Sequence, residues 1–506
     1  MRPQEASLCI FERPRVAERI RPDEPSSCCW APGTLPRCTN AAHPAMAQYT
    51  ETRSKNIPLI VRVMQACMAA RGSWAAVPSD RRAPSSGVDI RLRQGYTPTL
   101  EIQMAHEVER PTYQVVGPMQ RYDERDNVFS REALLPGSPE EREYHANHPE
   151  LDKIDHRLAK HFFEEAEASS VMAEKAPSEA LPESTFRAVS ALALPDAVDG
   201  PVAPLKVQVA PAEMAGNIKS LARHLGAVQV RIGPLNPAWI YTNRGVWPFF
   251  DDYRANPPAF DGVPKGYQSL NYGDPIEIGH RFAISMAFPQ NPRLIATSPS
   301  KTSSFEIGRV YAASALAAVE LGNYIRALGY PARAHHLRNY GVLLVPVAVD
   351  SGLGELGRCG YVISKELGAN FRLACVTTDL PLATDMPVDL GVQDFCAKCL
   401  KCAKNCPVKA IPTGDKVEVR GVKRWQIDAE KCLLYWGSQG GACAICQVVC
   451  PWSKPPTLFH RLTAEIAVRV PAARRSLIRA DDWVYGAGYK RASVPDWAGQ
   501  GQTMAQ

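Results

Sequence analysis

Eight cysteines fall between Cys396 and Cys450 of this 506-residue chain, and their spacing fixes what that stretch can become. The first group reads Cys396-x2-Cys399-x2-Cys402-x3-Cys406-Pro407. The second begins at Cys432 and, ten residues on, continues Cys443-x2-Cys446-x3-Cys450-Pro451. An iron–sulfur cubane needs four thiolates at tetrahedral corners; a tight C-x2-C-x2-C loop supplies three, and in two-cluster segments the Cys before Pro serves the other cluster. On that rule one [4Fe–4S] cluster takes Cys396, Cys399, Cys402 and Cys450, and the other takes Cys406, Cys432, Cys443 and Cys446. A structural zinc site would need only four ligands. The segment therefore predicts single-electron transfer, with the redox partner to be read from the rest of the chain.

The remaining seven cysteines, Cys9, Cys28, Cys29, Cys38, Cys67, Cys359 and Cys375, show no ligand spacing and read as ordinary thiols. The chain is 45% hydrophobic and 22% charged, with a net charge of +6 that is not gathered into basic blocks, which argues against a nucleic-acid face. No run of uninterrupted apolar residues is long enough to cross a membrane, and Ile57–Ala70 carries Arg62 in its middle. The first residues lack a secretory or twin-arginine pattern. The expectation is a cytoplasmic protein, with Met46 an alternative start.

Residues 1–105 are rich in Pro, Arg, Ser and Ala and read as a poorly ordered extension. From His106 the pattern firms: PTYQVV is strand-like, and Ser138–Ser169 reads as one charged helix. In it His145, His148, His156 and His161 read as solvated, because no Cys or carboxylate arrangement completes a metal site. Ala176–Pro204 reads as a loose linker.

Beyond it, AGNIKSLARHLG predicts a helix closed by Gly226, and AVQVRIG and HRFAISMAF predict strands. Ser303 and Glu306 suggest a capping box for a helix with Ile307, Tyr311, Ala318, Leu321, Ile325 and Leu328 on one face and Gly329 at its end. YGVLLVPVAVD reads as a strand buried on both faces. Helices alternating with strands argue an α/β or α+β core over 106–390, a ferredoxin-type domain over 391–460 and a C-terminal tail over 461–506 packing on the core.

Gly352-Leu353-Gly354-Glu355-Leu356-Gly357 matches G-x-G-x-x-G, but RCGYVIS follows it as a strand where a nucleotide site requires a helix. A loop whose glycines let backbone approach a large flat ligand is the better reading.

The stretch from DSGLGELGRCGYVIS through TDLPL to the first cysteine group resembles corrinoid-dependent reductive dehalogenases. So do YIRALGYPARAH, ERPTYQVVGPMQRYDERDNVFSR and ADDWVYGAGYKRASVPDW, so the resemblance runs from about His106 to Trp497. It implies a nitroreductase-like core holding base-off cobalamin, and no D-x-H-x-x-G ligand motif is present. It assigns the loop Gly352, Gly354, Glu355, Gly357 and Arg358 to the corrinoid, and to catalysis Tyr311 as proton donor, Arg372 as its cationic neighbour or the holder of an anionic substrate, and Asn339 as a third polar group. A tyrosine phenol titrates near ~10, so a fixed cation beside it eases proton donation near neutral pH.

The resemblance further implies an organohalide substrate, with halogenated aromatics favoured, and a separate ferredoxin, flavodoxin or reductase as electron donor. The related epoxyqueuosine reductases share the cluster motifs and a closing CQ-x-VCPW-x-K, matched by Cys446–Lys454. They offer an alternative reading with tRNA as substrate and Asp350 as the acidic residue. A non-catalytic iron–sulfur electron carrier is a third.

Overall fold

In this computed structural model residues 106–168, 177–245, 272–455 and 457–499 are described. The extension 1–105, with Ile57–Ala70, Met46 and the first five cysteines, lies outside the described residues. Among those described, no helix is long and apolar enough to cross a membrane.

The charged stretch forms two helices rather than one, α1 (Pro139–Asn147) and α2 (Asp152–Ala168). Pro149 bars the residue before it from helical backbone, and His148 ends α1 at φ −135°. His145 also departs from its solvated reading. The turn at 148–151 folds α1 back toward α2, leaving the His145 side chain only 11% exposed against 54% for His156.

The expected linker is helical too. α3 (Pro177–Ala191) carries Pro182 inside it, and a short helix spans Pro195–Val198. An interior proline weakens a helix, which is why this stretch reads as broken in sequence. Packing against the long helix restores it: a Cβ at Gly308 would lie 2.1 Å from Thr185 Oγ1 and 3.2 Å from the Phe186 ring.

α4 (Pro211–His224) starts on a proline and ends before Gly226, at φ 101°. It leads into β1 (Gln229–Pro234), which pairs with β2 (Phe282–Pro289). The long helix α5 (Lys301–Ala327) begins one turn earlier than the Ser303–Glu306 pattern suggests. Ser300 is its N-cap, and Ser300 and Ser303 exchange backbone-to-side-chain bonds at 3.0 and 3.1 Å. Glu306 is instead buried, accepting from Asn291 N at 2.6 Å and pairing with Arg309. Gly329, at φ 86°, closes the helix as expected.

After α5 come β3 (Ala332–His335) and α6 (Leu344–Asp350), the latter at the run expected to be a strand. Pro346 decides this. It has no N–H for a sheet ladder, but at the third position of a helix that N–H has no intrahelical partner to lose. The hairpin β4 (Glu355–Leu356) and β5 (Val362–Ile363) follows, then β6 (Phe371–Thr378). The main sheet runs β1-β2-β6-β3, antiparallel throughout. On one face Ile284, Met286, Ala374 and Val376 meet Ala318, Leu321 and Ile325 of α5 in one core. The mixed helix-and-sheet fold is borne out.

The cysteine segment contains α7 (Val392–Cys399), α8 (Lys401–Asn405), α9 (Ala429–Ser438) and α10 (Ile445–Val448). The tail adds α11 (Leu458–Arg469) and α12 (Arg474–Tyr485). One apolar core crosses the expected boundary at 390, joining Ile363 and Ala369 to Phe395, Trp452, Ala467 and Ile478.

Asp350, at the end of α6, is buried and fixes the opening segment to the core. The Tyr113 hydroxyl donates to one carboxylate oxygen at 2.8 Å and Trp239 Nε1–H to the other at 2.7 Å. Burial outweighs these two donors and lifts its pKa from 3.8 to about 6. The native protein thus keeps a proton that the unfolded chain releases, so this residue's stabilisation is full below 3.8, declines as pH rises, and is lost above about 6. Asp350→Asn should flatten that part of the profile of apparent Tm between pH 4 and 6 while costing roughly 1–3 kcal/mol, since one donor loses its acceptor. Thermal unfolding across pH checks both.

Candidate functional site

Tyr311 on α5 and Arg372 on β6 are brought together. The guanidinium carbon lies 5.3 Å from the centroid of the Tyr311 ring and 5.6 Å from that of Tyr361, so one cation stands between two phenol rings. Such contacts strengthen on desolvation, and Arg372 is buried. Burial works against its charge, but Tyr311, Tyr361 and the Cys446 sulfur outweigh it and hold its pKa above the ordinary arginine value. Burial raises the Tyr361 phenol, with Arg372 opposing, so Tyr361 stays protonated. Sequence reasoning missed Tyr361. Its one signal was its position directly after Arg358-Cys359-Gly360.

Asn339 is held elsewhere in its hydrogen bonding. Its Oδ1 accepts from Arg333 Nη2 and its Nδ2 donates to the Ala193 carbonyl, both at 2.7 Å. Among the bonds described none runs to Tyr311 or Arg372.

The glycine loop packs against the chain's own backbone. A Cβ at Gly352, where φ is 82°, would meet the Met386 carbonyl oxygen at 2.1 Å, and one at Gly354 would meet that of Ile363 at 2.3 Å. At Gly357 it would press on the Ile363 side chain at 2.8 Å. Glu355 is buried and accepts from Leu390 N at 2.6 Å, Val392 N at 3.0 Å and Thr112 Oγ1 at 2.6 Å. Arg358 donates to the carbonyls of Cys396 at 3.1 Å and of Pro412 and Gly414 at 2.9 Å, with its guanidinium 4.3 Å from the centroid of the Trp425 ring. Glu355 and Arg358 thus form a seam between the core and the cysteine segment, while the three glycines pack against Met386 and Ile363.

The eight cysteines gather as two sulfur sets. Cys450 sits in the electrostatic field of Cys396 and Cys399, and Cys402 in that of Cys450 and Cys396. Cys446 faces Cys443, Cys432 and Cys406 in the same way. Cys450 is thus a neighbour of the first group's sulfurs and Cys406 of the second group's. Cys359 is buried among them, near Cys402, Cys446 and Cys450. Burial pushes the thiols of Cys396 and Cys432 up to about 12. Thiolates are thus disfavoured here unless a metal takes the proton's place, which couples cluster assembly to proton release.

The second set adjoins the Tyr–Arg pair. Ala444, between Cys443 and Cys446, packs in one cluster with Tyr311, Ile295 and Ile307. The first set borders α12, where Cys399 feels Asp481 and Lys401. Buried polar atoms without a partner collect beside Arg372: its own Nε, both side-chain polar atoms of Gln290, and Asn370 Oδ1. Gln290 and Asn370 are tied to each other, Gln290 N to the Asn370 carbonyl at 3.1 Å and Asn370 Nδ2 to the Gln290 carbonyl at 3.0 Å.

Residues 395–454 match the 4Fe-4S dicluster domain family. Over 311 residues the chain is 32% identical to a tetrachloroethene reductive dehalogenase of Dehalobacter restrictus, covering 56% of this chain and 55% of that one. The chain thus spans about half the length of the curated relatives it matches. An epoxyqueuosine reductase of Escherichia coli is 29% identical over 160 residues, 28% of this chain and 38% of that one. A solved reductive dehalogenase whose structure suggests a mechanism for B12-dependent dehalogenation superposes with a TM-score of 0.57 at 27% identity, over 75% of this chain and 49% of that one. A catabolic reductive dehalogenase in complex with 3-bromo-4-hydroxybenzoic acid gives 0.55 at 26% identity, over 76% and 49%. The resemblance read from the sequence, to reductive dehalogenases with epoxyqueuosine reductases as relatives, is borne out.

Because Cys406 stands in the first cysteine group but faces the Cys446 set, Cys406→Ser should cost one cluster's worth of metal or more. Iron and sulfide per chain are expected to fall by about half or more, as measured on anaerobically reconstituted protein; a loss confined to a single iron would contradict the crossover.

Proposed function

We propose that this chain is the catalytic core of a reductive dehalogenase, an oxidoreductase that replaces a carbon-bound halogen by hydrogen using a corrinoid and two [4Fe–4S] clusters. The observation that carries the reading is the buried Arg372 between the Tyr311 and Tyr361 rings, beside the Cys446 set of sulfurs. The unpartnered buried atoms of Gln290, Asn370 and Arg372 fit a corrinoid, whose peripheral amides can both donate and accept. A corrinoid bound there supplies the low-potential cobalt on which carbon–halogen reduction depends. Gln290, Asn370 and Arg372 would hold it, and the glycine loop would keep the cysteine segment in register behind it.

The chain's residues then divide the work. Tyr311 is the proton donor to the carbon that loses halide. Arg372 stays charged in its buried position and stabilises the negative charge left on a phenol oxygen next to it, or pairs with an anionic substrate. That second role favours a halogenated phenol, held as its phenolate by a fixed cation. From α12 the order is Cys399 set, Cys446 set, then Arg372 and Tyr311, the sequence of stations needed by electrons arriving from a separate donor.

Protein prepared anaerobically after growth with cobalamin should contain cobalt in fixed ratio to iron and release halide from a halophenol. Iron and sulfide without cobalt, or salt-sensitive tRNA binding in place of halide release, would overturn the proposal. Tyr311→Phe should lower kcat about 10²–10⁴-fold with cobalt and iron content unchanged. Arg372→Met should chiefly raise KM for phenolic substrates while sparing neutral ones, a split that steady-state kinetics with the two substrate types reads directly.

A further inference from the structure

The turn that breaks the charged stretch into α1 and α2 sets two helical faces against each other. Glu141 and His145 stand one turn apart on α1, and Asp152 and His156 one turn apart on α2. One ligand atom each from Glu141, His145 and His156 lies within 4.8 Å of the others.

The tautomers follow from the partners. His145 Nε2 lies 3.1 Å from Asp155 Oδ2, and Asp155, 2% exposed, is gripped by Arg131 at 2.6 and 3.0 Å. A carboxylate paired with arginine accepts and does not donate, so His145 carries its proton on Nε2. Its Nδ1 lone pair faces Asp152 Oδ1 at 3.3 Å. His156 Nδ1 lies 3.0 Å from the Asp152 carbonyl, which only accepts, so its proton is on Nδ1. Its Nε2 lone pair then faces Glu141 Oε1 at 3.6 Å, while Glu141 Oε2 is occupied by the Gly137 N–H. Each imidazole thus directs its remaining nitrogen at a carboxylate oxygen, so that nitrogen and oxygen donors from both helices converge on one point. Arg131 pairs with Asp155 and Glu430 behind them.

We propose that Glu141, His145 and His156, with Asp152 at the open side, form a binding site for a divalent transition metal of the zinc type. Imidazole nitrogen with carboxylate oxygen is a borderline donor set, suited to zinc rather than to calcium or magnesium. The 3.6 Å between Glu141 Oε1 and His156 Nε2 is close to the edge of a zinc tetrahedron, about 3.3 Å for bonds of about 2.0 Å, and Asp152 Oδ1 lies 3.3 Å from His145 Nδ1. Asp155 supplies the outer carboxylate that fixes a ligating histidine's orientation. Through Arg131 and Glu430 the site is joined to α9, two residues from Cys432. Its ligands are separate from the cluster cysteines.

The test uses the full chain with both clusters reconstituted, treated with chelator, exposed to zinc alone and passed through gel filtration. Wild type should retain one zinc per chain, with nitrogen and oxygen as first-shell scatterers by X-ray absorption. Glu141→Gln, which still accepts from the Gly137 N–H, and the surface change His156→Gln should each weaken binding about tenfold or more. Unchanged iron and sulfide per chain shows that those variants are folded. No retained zinc, equal retention by wild type and both variants, or a sulfur-dominated shell would each overturn the site.

Discussion

A single buried guanidinium organises the centre of this protein. Arg372 has little exposed surface and an Nε without a partner, and burying a charge unpaired is among the costliest things a fold can do. It is tolerated because two aromatic faces and a sulfur set surround it. That requirement draws three otherwise unrelated segments together: α5 with Tyr311, the hairpin turn after the glycine loop with Tyr361, and the second cysteine group with Cys446. Replacing any one of them with an aliphatic side chain leaves the cation with less compensation. The candidate site and the packing of the core are in this sense the same constraint.

The seam between core and cysteine segment adds backbone hydrogen bonds to the apolar core that crosses it. Glu355 caps the amides of Leu390 and Val392, Arg358 gathers carbonyls around Cys396, and Gln447 donates to the Ala369 carbonyl at 2.8 Å. A Cβ at Gly368, where φ is 59°, would lie 2.3 Å from the Trp452 carbonyl group, two residues from Cys450. Each bond sets a distance between the sheet and a cysteine to within a hydrogen-bond length. Electron transfer needs that tolerance, because a relay works only if its stations keep their spacing.

How much of this was legible in the sequence depended on whether a residue's role was local. The 4Fe-4S dicluster segment was readable from its cysteine spacing, since ligand spacing is a local property. Tyr311 and Arg372 were reached by resemblance, and nothing in periodicity distinguished them from a core tyrosine and a surface cation. Asn339 was named with them, yet its two bonds belong to Arg333 and Ala193. α6 was misread because its continuous apolar run was weighed and Pro346 was not, and α3 because its prolines were weighed as breakers without regard to what would pack on it. Tyr361 and Cys359 were invisible as site neighbours because their importance lies wholly in what lies across the fold.

The same distinction explains the histidines of α1 and α2. In sequence they lie in a polar stretch with acids at irregular offsets, and a solvated face is the natural reading. Pro149 changes the outcome by folding one half-helix onto the other, so that Glu141 meets His156 and Asp152 meets His145. No residue there changes character; only the turn brings lone pair against lone pair. Arg131 is bound between Asp155 and Glu430, which leaves the converging nitrogens and oxygens to the space between the helices. The helix pair that would hold a cation there packs on the helix bearing Cys432: Leu158 of α2 and Leu433 of α9 share one apolar cluster.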